Sequence, residues 1–548
     1  MYIRTTSRKN KDGTTAKYVQ LAHNFWDKEA GYPRAKVLYN FGREEYVDKA
    51  ALKRLVESIN RYLGPEEALK SASGPLPFLS SRPMGGAWVL EKLWSKLGIK
   101  AVLEKLLQER KFDTPVERAI LAMVANRALA PKSKLATEKW VKDEVYLQAL
   151  PEVGVQHLYR AMDFLLGAEE PLQKEIFYAV ADILNLEVDI LYFDTTSTYF
   201  EVEAEDAFRK KGFSKDKRPD LPQAVIGLAV TREGIPVRCW VWPGHTADMS
   251  VVKQVKKDLV GWKLGRVISV LDRGFVSEEN VKELQRTGGH YIIGEKLRGN
   301  KESVKKALST AGRYQKVRDN LELKEIIVGD GIARKRYILV RNPLQAKRDK
   351  AQREKMLKEL ETELGELKTP AGQHGKRACQ LLSHPTYSRY LKLLKSGRVK
   401  VDRAKVKAEE KHDGKYLLRT SDDTLPPEDV ALGYKQLLEV EAAFRTLKST
   451  LDLRPVYHRL EERIRAHVLV CWLALLLIRI AERATGDTWE KMRSELQQLH
   501  LGEFGGENGR IWQRTELTNL QQGYLNKLEI KPPPRFLEIL PGTGEKTS

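Results

Sequence analysis

The chain has 548 residues, 42% of them apolar and 8% aromatic, and its 95 Lys and Arg against 74 Asp and Glu give a formal net charge of +21. That apolar content excludes wholesale disorder, and the basic excess calls for a polyanionic partner, nucleic acid ahead of an anionic membrane surface. Cys239, Cys379 and Cys471 lie far apart and form no C-x-x-C pair, which excludes a disulfide framework and a cysteine zinc site.

Residues 1–47 alternate polar and apolar around a KDGT turn, as a small basic antiparallel sheet would. A helix is expected over about 48–62, then a Gly/Pro/Ser-rich linker, so 1–75 reads as a β-rich DNA-binding region. Apolar spacing of three and four predicts helices throughout about 84–187, and 76–187 is assigned to DNA binding or dimerisation. VDILYFDTTSTYFEV (188–202) predicts a strand and 224–244 a hairpin about an EG turn. Helix, strand (LGRVISVLDRG), helix and strand follow, the order of a mixed-sheet α/β domain, whose first part spans 188–297. Residues 298–425 form a basic insertion with β content; within 291–420, 33 Lys and Arg face 16 Asp and Glu. A single helix is expected over 427–451, and 426–486 completes the catalytic domain. GEFGGENGR (502–510) reads as a plain loop in a C-terminal tail, 487–548, suited to dimerisation. The apolar run Val468–Ile480 is too short for a bilayer and reads as a buried helix. The start of the sequence lacks a signal-peptide core, so a cytoplasmic protein without membrane attachment is expected.

Asp194 (ILYFD) and Asp272 (VISVLD) are each expected to end a buried strand. A carboxylate there is unfavourable unless it meets a cation; the plain alternative is an Asp capping the next turn or pairing with an Arg. On the 427–451 helix, Tyr434, Leu438, Glu441, Arg445 and Lys448 share one face, while Glu439 points elsewhere. That stripe suits a carboxylate holding a metal beside a phosphate gripped by Arg and Lys, although an ordinary Glu441–Arg445 surface pair satisfies the same spacing. Three carboxylates without His or Cys imply hard oxygen coordination of Mg²⁺, with Mn²⁺ as substitute. Two such ions can drive in-line phosphodiester displacement.

The motifs FDTTS, GHTADMS, LDRGF, VEAAFRTLKS and RPVYHRLEERIRAH resemble, over about 185–485, the DDE transposases of bacterial insertion sequences. The order strand-Asp, strand-Asp, insertion, helix-Glu resembles their RNase H-like fold. The spacing Tyr434-x2-Leu437-x3-Glu441-x6-Lys448 is similar to the YREK signature of the insertion-sequence-4 superfamily. The resemblance implies Asp194, Asp272 and Glu441 as catalytic metal ligands and Tyr434 and Lys448 as DNA contacts. Leu437 stands at the signature's arginine, and Arg445 is a candidate substitute. Some relatives stack a flipped base on a Trp of the insertion during hairpin formation; residues 273–425 contain no Trp, and Tyr314, Tyr337, Tyr387, Tyr390 and Tyr416 leave that step open.

Arg273, Arg454 and His458 join the candidate DNA contacts, with surface arginines and a locally satisfied neutral histidine as the plain alternatives. The reading is a dimeric transposase that cuts and joins transposon ends and target DNA, cut-and-paste rather than copying. The alternatives are a DNA-binding protein that has lost catalysis and a metal nuclease without strand transfer.

Overall fold

The computed structural model describes residues 1–10, 14–28, 31–63, 77–108, 115–150, 152–186, 189–262, 267–286, 289–298, 301–331, 334–366, 375–454, 456–506 and 509–541. The first turn's Lys11–Gly13 and linker residues 64–76 lie outside them. The chain forms two compact units, one of residues 1–82, 500–516 and 533–548, the other of 83–499 and 517–532.

In the first unit the alternating N-terminal sequence forms the antiparallel sheet its pattern predicts. It comprises β1 (Tyr2–Lys9), β2 (Thr15–Asp27) and β3 (Tyr32–Arg43). Val19 and Ala22 on β2 are both buried although they lie three positions apart; strict alternation would put them on opposite faces, and the pairing of β2 with β3 shifts register between them. The amphipathic helix Lys49–Leu63 and β4 (Phe78–Pro83) follow.

The second unit is built on a nine-stranded mixed sheet. β5 (Ile190–Tyr199), β6 (Gln223–Thr231) and β7 (Pro236–Pro243) form an antiparallel meander, with the expected EG turn between β6 and β7. On the other side of β5, β8 (Ile268–Leu271) and β9 (His290–Glu295) run parallel to it. The order β7-β6-β5-β8-β9 is that of an RNase H-like domain. The basic segment after residue 297 supplies β10 (Gln315–Arg318), β11 (Leu321–Val328) and β12 (Lys335–Arg341). It then adds a small hairpin, β13 (Leu391–Leu393) with β14 (Val399–Val401), and finally β15 (Lys415–Thr420). β15 pairs antiparallel with β9, and β12 with β15. The strands of this basic segment therefore extend the central sheet, because β9 offers a free edge that β15 completes.

An aromatic core of Phe193, Trp240, Trp242 and Trp262 lies between the meander and the helices Asp248–Val260 and Glu278–Gln285. The Trp240 and Trp242 indoles keep their N–H groups bonded, to Asp258 and Gln254. The apolar run 468–480 belongs to the helix Glu461–Thr485, which packs against the helices Val116–Leu129 and Val155–Gly167 and against β7. At 25 residues this helix is long enough to cross a bilayer, unlike the shorter run singled out in the sequence. Its apolar window is 89% buried inside the protein, as a hydrophobic-all-round core helix should be.

The expected single helix over 427–451 is broken. It becomes the helices Pro427–Lys435 and Leu438–Arg445 and a wider turn, Thr446–Thr450. At the break the amides of Gln436 and Leu437 take tight bonds to Gly433 and Tyr434. The Gln436 side chain also accepts the Tyr192 hydroxyl at 2.6 Å, a tertiary bond that helical periodicity does not encode.

The Gly-rich run read as a loop is also different. β16 (His500–Gly506) and β17 (Gly509–Arg514) pair antiparallel, and β18 (Phe536–Pro541) and β4 complete a sheet in the first unit. Phe504 meets Phe78 edge to face at 5.5 Å, and Ser80 donates to Glu503. Cross-strand contacts of this kind override the weak strand preference of glycine.

Candidate active site

The register places the two aspartates. Parallel pairing of β5 with β8 ends at Phe193 opposite Leu271, so Asp194 and Asp272 leave adjacent strands at the same step. Asp194 does not end its strand: β5 continues to Tyr199 by pairing with β6, Asp194 facing Leu228. Its flank is open only because β8 stops. Asp272 begins the short turn Arg273–Phe275.

Asp194 is held tightly. Its Oδ1 accepts the Thr195 amide at 2.7 Å and the Lys215 ammonium at 3.3 Å. Lys215 also donates to the Thr195 carbonyl at 2.6 Å and hydroxyl at 2.9 Å, and lies 3.7 Å from Asp248. The Thr195 hydroxyl in turn donates to Asp248 at 2.5 Å. Burial pushes the Asp194 carboxyl up to about 6 against the opposing pull of Lys215 and the Thr195 amide, as desolvation of a bare carboxylate must. A small cavity of about 240 Å³ opens here, with Thr195, Thr196 and Ser197 on one side and Phe213, Lys215 and Asp248 on the other.

Asp272 accepts the Tyr434 hydroxyl at 2.7 Å. Burial and Asp272 together raise the Tyr434 phenol well above its usual value, so it is a donor at any physiological pH. Tyr434 stacks on Tyr416 at 5.9 Å. It reaches Asp272 by crossing over Gly294, where any Cβ would collide with its hydroxyl; close approach is the reason glycine stands there. Asp272, Tyr434 and Tyr416 line a cleft of about 630 Å³ that also presents Arg273, Lys296 and Arg353. Tyr390 lines this cleft too, whereas Tyr337 is fully buried in the core and Tyr387 stacks on His384. Tyr314 packs against the core of the basic segment.

Glu441 sits on the helix Leu438–Arg445, which lies against β5 and β6. It is exposed, as is Arg445, and the break at Gln436 interrupts the continuous helix expected from Tyr434 to Lys448. Glu439 does point elsewhere, to Arg479 at 2.6 Å. Lys448 and Arg454 both reach Asp216, at 2.8 and 3.0 Å. His458 turns toward the helical part of the unit, against Tyr159 and His467, and burial with nearby Lys134, Arg463 and Arg127 pushes it down to about 4. Sequence reasoning missed Lys215, Asp216 and Asp248. Asp248 lay inside the recurrent GHTADMS segment, while Lys215 and Asp216 carried no signal beyond belonging to a basic loop.

Among the described residues, no three Asp, Glu, His or Cys side chains stand together closely enough to hold a metal ion. The atoms beside Asp194 and Asp272 able to ligate a metal are nonetheless all oxygens, of carboxylates, hydroxyls and a backbone carbonyl, the nitrogens there being the protonated Thr195 amide and Lys215 ammonium. Asp194 already takes an ammonium as compensation for burial, so the donor set fits a hard divalent cation.

Two sequence families match. The profile of the transposase DDE domain covers residues 191–477, more than half of the chain. The chain belongs to the DDE transposases. The profile of the N-terminal domain of IS1634 family transposases covers residues 3–69, so this is an insertion-sequence enzyme that acts on DNA, of a family that works with divalent metal ions. No curated protein matches. Among solved structures, a cryo-EM structure of piggyBac transposase in a synaptic complex with hairpin DNA is similar at 11% identity. That match covers 75% of this transposase and 78% of the other chain, with a TM-score of 0.35.

Proposed function

We propose that this transposase binds the ends of its own insertion sequence as a homodimer and excises and inserts it by hydrolysis and strand transfer, a cut-and-paste route. We also read it as a member of the insertion-sequence-4 superfamily, with Tyr434, Glu441 and Lys448 at the signature positions. The observation that carries the reading is that Asp194 and Asp272 follow directly on the last parallel pair of β5 and β8, Phe193 with Leu271, with the helix that bears Glu441 packed against β5.

Asp194, Asp272 and Glu441 would hold Mg²⁺. Two such ions would supply an activated attacking oxygen and stabilise the leaving oxygen of the phosphodiester. The chain's own residues do the rest. Lys215 and the Thr195 amide fix the Asp194 carboxylate, Tyr434 fixes that of Asp272, and Lys448 and Arg454 meet the phosphate. Arg273, which lines the larger cleft, contacts the same strand, and the N-terminal sheet β1 to β3 recognises the end sequence.

Asp194→Asn, Asp272→Asn and Glu441→Gln are each expected to reduce strand cleavage at least about 10³-fold while leaving end binding intact. Cleavage is read on denaturing gels with Mg²⁺ and DNA carrying the element's ends, and cutting at the wild-type rate by any of the three would overturn the assignment. The exposure of Glu441 favours a second reading, a DNA-binding protein that no longer cuts. Failure of the wild-type protein to bind Mn²⁺ in a titration would support it.

A further inference from the structure

The connection between β5 and β6 crosses the carboxyl side of the sheet beside Asp194, and it is built rather than loose. Within it the Lys215 amide donates to the Ser197 hydroxyl at 2.9 Å, and the Arg218 amide to the Ser214 hydroxyl at 3.0 Å. Lys217 adopts a left-handed backbone, φ 60°, a conformation that a non-glycine residue keeps only when its surroundings over-determine it. At the centre of this turn stands Asp216, whose side chain is only 11% exposed.

Its two oxygens face different cations: Oδ1 accepts a hydrogen bond from Lys448 at 2.8 Å, and Oδ2, which accepts no hydrogen bond among the described residues, lies 3.0 Å from the Arg454 guanidinium as an ion pair. These cations come from different pieces of backbone, the turn Thr446–Thr450 and the irregular segment after it. Arg454 is held from a second side, its guanidinium lying 4.9 Å from the Tyr199 ring, and Arg218 approaches the same ring at 5.3 Å. Burial, Arg454 and Lys215 all press Lys448 toward losing its proton, and the Asp216 carboxylate opposes all three. An ammonium has three donors and a guanidinium five; Lys448 gives one hydrogen bond to Asp216 and Arg454 meets it only as an ion pair, so both cations are able to bind a further anion.

We propose that Asp216 is a positioning residue: its carboxylate sets Lys448 and Arg454 as a pair beside Asp194, so that together they grip one backbone phosphate of the DNA. This rests on the reading of the chain as an enzyme of transposon ends. Its consequence runs against simple electrostatics. Asp216→Asn makes the protein more positive, and a bare charge argument expects tighter DNA binding. A positioning role expects weaker binding, because the two like-charged groups lose the bridge that holds them together.

The test measures fluorescence anisotropy of a labelled duplex carrying the element's terminal repeat, in EDTA, alongside a random duplex of equal length. Asp216→Asn, checked for native thermal unfolding, is expected to weaken binding about tenfold. Asp216→Asn/Lys448→Ala is expected to bind no more than about twofold more weakly than Lys448→Ala alone, as coupled residues do. Affinity of Asp216→Asn at or above wild type, or losses that simply add, would overturn the proposal. If that variant does not fold, Asp216→Glu keeps the charge and moves the carboxylate by one methylene. A loss of about threefold is expected from it, and wild-type affinity overturns the proposal. Wild-type protein that binds neither duplex sinks the transposon-end reading and this proposal together; wild-type binding that Asp216→Asn matches sinks the proposal alone.

Discussion

Two places in the second unit gather cations, and they treat them in opposite ways. Around Asp216, Lys448 and Arg454 share a carboxylate, and Lys215 lies between Asp194 and Asp248. Beneath the segment that follows, Arg127, Lys134, His458 and His467 are drawn together where, among the described residues, none of them makes an ion pair. Arg127 donates to the backbone carbonyls of Lys132 and Asp452 instead. Burial beside Arg127 pushes Lys134 down to about 7 and drives His467 well below its usual value. The same physics acts at both sites. A carboxylate helps a desolvated cation keep its charge; without one, Lys134 and the two histidines are driven toward the neutral form, while the Arg127 guanidinium is held by backbone carbonyls. The first group is therefore equipped to meet a polyanion, and the second is packing.

The contrast can be broken most decisively on DNA. Lys448→Met is expected to slow cleavage of end DNA about 100-fold, whereas Lys134→Met leaves the rate within about twofold of wild type. Single-turnover time courses of both variants check this, and equal losses would erase the distinction.

The next effect is on stability. Lys134 titrates near 7 in the folded protein against 10.5 when unperturbed. Between those values the unfolded chain binds more protons, so this residue makes stability rise with pH across that window and is least favourable below it. Lys134→Met is expected to stabilise the protein by roughly 1–2 kcal/mol at neutral pH, with the gap closing as pH rises toward 10. Urea unfolding of both proteins across this range checks the sign, and a gap that widens with pH contradicts it.

The smallest effect sharpens the first site. Tyr199→Leu removes the ring beneath Arg454 and Arg218, a contact of about 0.5–1 kcal/mol at partly exposed positions. It is expected to weaken binding of the terminal-repeat duplex two- to fivefold, read by anisotropy; no change would mean that Asp216 alone sets the position of Arg454.

What the sequence made legible was local. Alternation disclosed the N-terminal sheet and the β6–β7 hairpin, and the apolar runs before Asp194 and Asp272 marked both aspartates. Helical spacing correctly turned Glu439 away from Glu441. The errors share one cause, bonds between residues remote in the chain. At the break in the helix Gln436 bonds Tyr192, 244 positions away. The glycine-rich run becomes a hairpin because β4 and β18 are there to pair with. Asp216 meets Lys448 across 232 positions, and no periodicity in either segment announces it.

The join between β9 and β15 also has a meaning for synthesis. β9 ends at Glu295, and the strand that covers its edge begins at Lys415. At about 5–20 residues per second on the ribosome, that edge of a hydrophobic sheet waits roughly 6–24 s before its partner exists, and the helix bearing Glu441 emerges later still. While it is being made, the chain is a bare sheet margin that neighbouring nascent chains can pair with, so its yield should depend on how crowded the message is with ribosomes.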